Sequence, residues 1–171
     1  VLSIDPVTAH PGDGINAQNN ASGTDLTISA SGVTGTNSGI SATNNGTGAT
    51  SITAVDAVTG SAAYGIHARN TSISSADMTI SSYAITSASD GINAVNQGSA
   101  ALSITATGVI LASTGEGISA VNSASGTNLT ISATSALGDT DGIFAQNDGT
   151  GILSITVDGV VTGESGQGID T

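Results

Sequence analysis

Apolar residues recur along this chain at a nearly constant interval. The pattern Gly-Ile-x-Ala-x-Asn begins at Gly14, Gly39, Gly65, Gly91, Gly117 and Gly142, every 25 or 26 residues, and a shortened copy, Gly168-Ile169-Asp170-Thr171, closes the sequence. Between these anchors lies an aliphatic pair around one polar residue: Leu26-Thr27-Ile28, Met78-Thr79-Ile80, Leu102-Ser103-Ile104, Leu129-Thr130-Ile131 and Leu153-Ser154-Ile155, with Thr50-Ser51-Ile52 as a weakened copy. A single aliphatic site follows, at Val33, Val58, Ile85, Val109, Leu137 and Val161. Ahead of the first anchor, Leu2-Ser3-Ile4 matches the pair and Val7-Thr8 the single site. A period this regular is an architectural repeat.

Within each segment apolar and polar residues alternate, so an extended strand puts the Ile and Ala of the anchor on one side, and both aliphatic residues of the pair likewise. Three such segments, separated by Gly, Ser, Asn, Asp and Thr, leave no room for a helix of ordinary length. One coil cannot bury its own apolar side. Stacking coils at the spacing of hydrogen-bonded strands, roughly 4.8 Å, makes a continuous core. The expected fold is an all-β parallel β-helix of about seven coils, three short strands per coil, with residues 1–171 forming one segment cut from a longer array.

The Asn that ends each anchor, at Asn19, Asn44, Asn70, Asn96, Asn122 and Asn147, is expected to form a stacked ladder, each amide bonded to the next coil. It stands where the chain turns, and Asn tolerates the left-handed backbone that turns use. The Gly that opens each anchor marks a corner too tight for a Cβ. Both are structural expectations, since every coil needs them.

Composition narrows the function classes. The 171 residues hold one Lys or Arg against thirteen Asp and Glu, a net charge of −12. That balance excludes a sequence-independent grip on nucleic acid phosphate or anionic lipid. With no Cys, neither disulfides nor a Cys-based metal site can form. No run approaches the ~18 apolar residues of a membrane helix, so direct membrane insertion by this segment is not expected.

The repeat, as in Asp90-Gly91-Ile92-Asn93-Ala94-Val95-Asn96 and Asp158-Gly159-Val160-Val161-Thr162-Gly163, resembles the passenger regions of autotransporters, the type V secreted proteins of Gram-negative bacteria. The resemblance implies a right-handed β-helix displayed at the bacterial cell surface, anchored by an outer-membrane barrel outside this segment. It implies adhesion, self-association or biofilm formation, with a host surface protein, a glycan or another copy of the chain as partner. The pure stalk and the carbohydrate-active β-helix fragment are the alternatives.

Three sets of residues are candidates for chemistry. Tyr64, His67 and Arg69 fall together on outward positions and, with Phe144, offer a contact point for a glycan or protein; Arg69 is the one strong cation in the chain. Asp90, Glu116 and Asp141 immediately precede successive anchors and stack into a carboxylate column able to offer oxygen ligands to Ca²⁺. Like charges about 5 Å apart in water repel by only about 0.8 kcal/mol, so the column needs no metal to survive, and no cofactor is expected. Carboxylates one coil apart also reach the ~5 Å separation of retaining glycosidases. Any acidic ladder on a β-helix does so, and with one Arg and two His on an open surface no catalytic residues are assigned and an enzyme is not expected. Finally, Thr27, Ser51, Thr79, Ser103, Thr130 and Ser154 form an outward hydroxyl column like the faces of ice-binding solenoids. Half its rungs are Ser and no neighbouring column repeats it as Thr-x-Thr, so strand propensity and solubility are its expected explanation.

Overall fold

A computed structural model describes the backbone of residues 3–4 and 6–171 and the side chains from residue 6 onward. The described residues contain strands and no helix, and the strands pair in parallel from coil to coil. The anchors form the strands Ile15–Asn19, Ile40–Asn44, Ile66–Asn70, Ile92–Asn96, Ile118–Asn122, Ile143–Asn147 and Ile169–Asp170, which make one seven-stranded sheet. Across the six complete anchors Ile lies over Ile, Ala over Ala and Asn over Asn. The second and third strands of each coil belong to a twelve-stranded sheet. They are separate in most coils, as in Met78–Ser82 and Ile85–Ser87, but run on as one long strand in Leu102–Ala112 and Leu129–Gly138. The result is a parallel β-helix of about six turns.

Alternation builds the core. Ile40, Ile66, Ile92, Ile118 and Ile143 are fully buried in one column, with Ala68, Ala94, Ala120 and Ala145 beside them and Ile52, Ile80, Ile104 and Ile131 opposite. Each buried Ile contributes about 1.5–3 kcal/mol. The anchor glycines let this happen: a Cβ at Gly39 would meet the Val58 side chain and the Gly65 carbonyl, and a Cβ at Gly91 would meet the Ile110 side chain and the Gly117 carbonyl. Gly at this position is therefore a matter of space between coils.

The Asn ladder forms as expected, amide to amide between coils, but without the left-handed backbone expected at the turn. No non-glycine residue among those described has positive φ, and the one glycine that does is Gly12. Asn instead occupies the last strand position with its amide turned inward, where Asn44, Asn70, Asn96 and Asn122 are fully buried. Nδ2 donates to the Oδ1 of the next coil, from Asn19 to Asn44 (2.9 Å), Asn70 to Asn96 (3.0 Å), Asn96 to Asn122 (2.9 Å) and Asn122 to Asn147 (2.9 Å). The same amides hold the following turn: Asn96 Oδ1 accepts the Gly98 N–H at 3.1 Å, and its Nδ2 donates to the Ala100 carbonyl at 3.2 Å. Among the described residues the amide run is interrupted between Asn44 and Asn70. There the Thr50 hydroxyl donates to Asn70 Oδ1, and Asn44 donates to the Gly48 carbonyl. The weakened copy of the aliphatic pair thus has a buried polar partner.

Register corrects two other expectations. In the third strand Ile85 pairs with Ile110 and Ile110 with Ala136, so these residues point inward. Val109, expected there, is 49% exposed, and Leu137 is half-buried on the outside. The corner resets the alternation, with a register shift between Ala106 and Val109. The inward residue is the one two positions before the small residue at Gly35, Gly60, Ser87, Ala112, Gly138 or Gly163, whichever aliphatic is largest nearby. At the other end Ile4 pairs with Ala30 rather than Ile28, two positions from the expected match; Leu2 lies outside the described residues. Val7 pairs with Val33 as expected.

Coils alternate in kind. Longer turns over residues 20–25, 71–77 and 123–128 interleave with shorter ones over residues 45–49, 97–101 and 148–152. Each longer turn ends in Asp25, Asp77 or Asn128, whose Oδ1 accepts the backbone N–H of Ala49, Ala101 or Ile152 in the shorter turn above, at 2.9, 3.0 and 3.0 Å. The repeating unit is a pair of coils, clamped once per pair.

Replacing Asn96 by Ala should leave the Asn70 amide, the Gly98 N–H and the Ala100 carbonyl without their bonds, at about 1–3 kcal/mol for each group that stays unsatisfied. A thermal melt should fall by roughly 6–12 °C for a net loss of about 3 kcal/mol in a chain of this size. The exposed neighbour Gln97→Ala should stay within about 0.5 kcal/mol.

Candidate functional site

The outward side of the anchor sheet carries the one aromatic and cationic group of neighbours that sequence spacing brings together. Tyr64 stands just before the strand Ile66–Asn70, and His67 and Arg69 project outward from it. The Tyr64 and His67 rings meet at a centroid distance of 4.6 Å, tilted by 34°. Both are half-buried while Arg69 is exposed. In neighbouring coils His67 lies between Ser41 and Asn93, and Arg69 between Thr43 and Val95. Burial holds the imidazole below its ordinary range and the Arg69 charge adds to this, against the pull of Asp90 and Asp13. His67 is therefore a neutral ring at pH 7, a donor and acceptor in one group. Phe144 belongs to the same outward column, but Asn93 and Ser119 stand between. Three rises of roughly 4.8 Å place it about 14 Å from His67, too far to share one small ligand unit with it.

The acidic column is built into the coil contacts. Asp13 Oδ1 accepts the Ser38 N–H at 3.0 Å, Asp90 Oδ1 the Glu116 N–H at 3.2 Å and Asp141 Oδ1 the Gln167 N–H at 2.6 Å. Where the anchor reads Asp-Gly-Ile-Asn, the second oxygen is also taken: Asn16 donates to Asp13 at 3.0 Å and Asn93 to Asp90 at 2.7 Å. The carboxylates so act as clasps between successive coils. Among the described residues no three His, Asp or Glu side chains converge as a metal-ligand group, and Asp90, Glu116 and Asp141 follow one another up the stack. Sequence spacing identified the column but not the clasp, which depends on one oxygen facing the N–H a coil above.

Two recesses open on the surface. One of about 370 Å³ is lined by Val7, Ile15, Ala17 and Ile28, core residues of the first described coils; the other, about 300 Å³, is lined by Thr59, Thr86, Ser87 and Thr114. Neither lining includes a carboxylate or a basic group. Comparisons with known protein families, with curated proteins and with solved structures find no match to this chain.

Three groups give stability a definite dependence on pH. Burial alone would raise Asp13, but bonds from the Ser38 N–H, Asn37 and Asn16 carry it below 3.8, so its stabilisation is lost as pH falls through that lowered value. Glu116 is raised above 4.5, first by burial, then by its hydrogen bond to the Asp90 side chain and the Asp90 charge, with Asp141 adding to the effect. Folded Glu116 holds its proton more tightly than the unfolded chain does, so it destabilises at neutral pH and that penalty relaxes as pH falls through the raised value. His67 works the other way below 6.5, where the unfolded chain takes up the proton first. Glu116→Gln should therefore melt higher than the parent at pH 7, by no more than about 2–4 °C, since solvent screening of a partly exposed charge keeps the relief at or below about 1 kcal/mol. The difference between the two melts should close as pH approaches 4.5.

Proposed function

We propose that this chain is a structural and adhesive rod segment of a surface-displayed autotransporter passenger. It holds a partner, whether a host surface protein, a glycan or another copy of the chain, by weak polar contacts repeated along its length. The observation that carries this reading is the register: outward positions of the anchor sheet recur at every coil without slippage, so any contact made by one coil is offered again a fixed rise further on. Six rises of roughly 4.8 Å give about 29 Å of rod. Repetition along a stiff axis converts weak contacts into avidity without strengthening any of them.

Tyr64, His67 and Arg69 are the most specific contact point on this surface. An aromatic pair supplies apolar area at little entropic cost, and the neutral imidazole and the guanidinium supply directed hydrogen bonds beside it. These are groups that recognise the ring face and hydroxyls of a sugar. The surrounding charge of −12 sets Arg69 apart as the place where an acidic partner is least repelled.

Beads coated with the chain should clump or adhere to host matrix, and His67→Ala with Arg69→Ala should lower retention several-fold without moving the melting temperature. Beads that neither clump nor adhere would leave only a spacer. Unchanged retention in the double variant would place adhesion on another face.

A further inference from the structure

A face distinct from the anchor sheet carries a pattern that only the register discloses. Two outward columns of the second strand pair across the coils as Thr27/Ser29, Ser51/Thr53, Thr79/Ser81, Ser103/Thr105, Thr130/Ser132 and Ser154/Thr156. Within these two columns no coil carries Thr-x-Thr, yet the neighbouring column is hydroxyl-bearing at every rung; Thr107 and Thr134, one outward step further along the two long strands, donate to the Ser82 and Thr107 carbonyls. Each rung holds one Thr and one Ser, and their order reverses from coil to coil, following the alternation of long and short turns. The result is a checkerboard, two columns wide and six rungs tall.

The fold does not require this. On the third strand the equivalent outward column runs Thr8, Thr34, Thr59 and Thr86, is broken by Leu111 and Leu137, and ends on Thr162. On the anchor strand it admits His67 and Phe144. Strand propensity and solubility are satisfied there by varied side chains, whereas these two columns keep a hydroxyl at every rung, with ring and charge beginning only beyond them, at Tyr83 and Asp158. Nor are these hydroxyls used internally: among the described residues none of them hydrogen-bonds to another protein group, and they are half-buried to exposed. They form an array roughly 4.8 Å by about 6.7 Å, set by the strand spacing and by two residues of rise. Thr is stiff at χ1, so its hydroxyl and methyl are held in place before any ligand arrives.

We infer that this face binds ice. A ligand matched to a rigid, uncharged lattice of donors and acceptors must itself repeat on two axes at intervals of a few ångströms, as the oxygen atoms of ice do. Each Thr methyl shelters ordered water while the hydroxyl beside it joins the water lattice. Crystalline polysaccharide repeats on a similar scale, but its binding sites present rings for the sugar faces to stack on, and the two columns hold none. The activity is independent of the adhesive reading, since it uses a different strand of each coil.

The test is partition of the whole chain into a slowly growing ice front, with ice recrystallisation scored in parallel and albumin as control. The chain should enter the ice several-fold above albumin and slow recrystallisation. Thr79→Lys with Thr105→Lys, both exposed and without internal partners, should return both readings to the control while the melting temperature is kept. Changing Ser81 and Ser103 to Thr, which fills the centre of the lattice with methyls, should strengthen both. Exclusion of the parent chain from ice to the extent of albumin overturns the inference. So does undiminished partition by the double Lys variant, which would place the activity elsewhere, and so does retention on microcrystalline cellulose without retention in ice.

Discussion

The hydrogen bond from the first residue of one anchor strand to the glycine carbonyl of the next coil sets everything else in this molecule. Ile40 N reaches Gly65 O at 2.9 Å, Ile66 N reaches Gly91 O at 2.9 Å and Ile92 N reaches Gly117 O at 3.1 Å. These bonds close only because the glycines carry no Cβ where the next coil's carbonyl and the third strand's aliphatic side chain already sit. Once coils lie at that distance, identical residues must stack. Stacking in turn decides which side chains are buried as ladders and which are offered outward as columns.

Inside, the ladders divide the work by chemistry. Ile and Ala fill the interior without directional demands, whereas the buried amides must each find partners, and they find them in the next coil and in their own turn. The Asn ladder therefore ties the end of every anchor strand to the turn that follows. Asp13, Asp90 and Asp141 do the same at the start of the strand, from outside, by accepting a backbone N–H one coil on. Charge on this chain is consequently part of the scaffold as well as of its surface. It also brings Asp90 close to Glu116, a pair of carboxylates whose proximity works against the fold at neutral pH.

Much of this was legible in the sequence, because a solenoid converts spacing into contact with little else intervening. The Ile, Ala and Asn positions of the anchors follow from their period, and so does the adjacency of Tyr64 and His67. Three features were not. Val109 and Leu137 read as core because they are large and aliphatic, but a corner restarts the alternation and the small residue after it marks which side is inward. The amide ladder follows from the period, but the turn beside it is held by Asn side-chain bonds and not by the left-handed backbone that the residue type suggests. The checkerboard of Thr and Ser escaped because it repeats over two coils. Comparing each coil with its neighbour alone makes the alternation look like noise, and Leu26 to Met78 is the step over which it returns in phase.

The central claim, that coils are locked in register through their anchor strands, is tested most directly by amide hydrogen exchange resolved by residue. The account predicts that Ile66, Ile92 and Ile118, whose N–H groups bond to the next coil, exchange together and only through opening close to global unfolding, while the exposed turn positions Ala124 and Ser125 exchange far faster. Exchange of those three amides at the rate of the turns would contradict a stacked core.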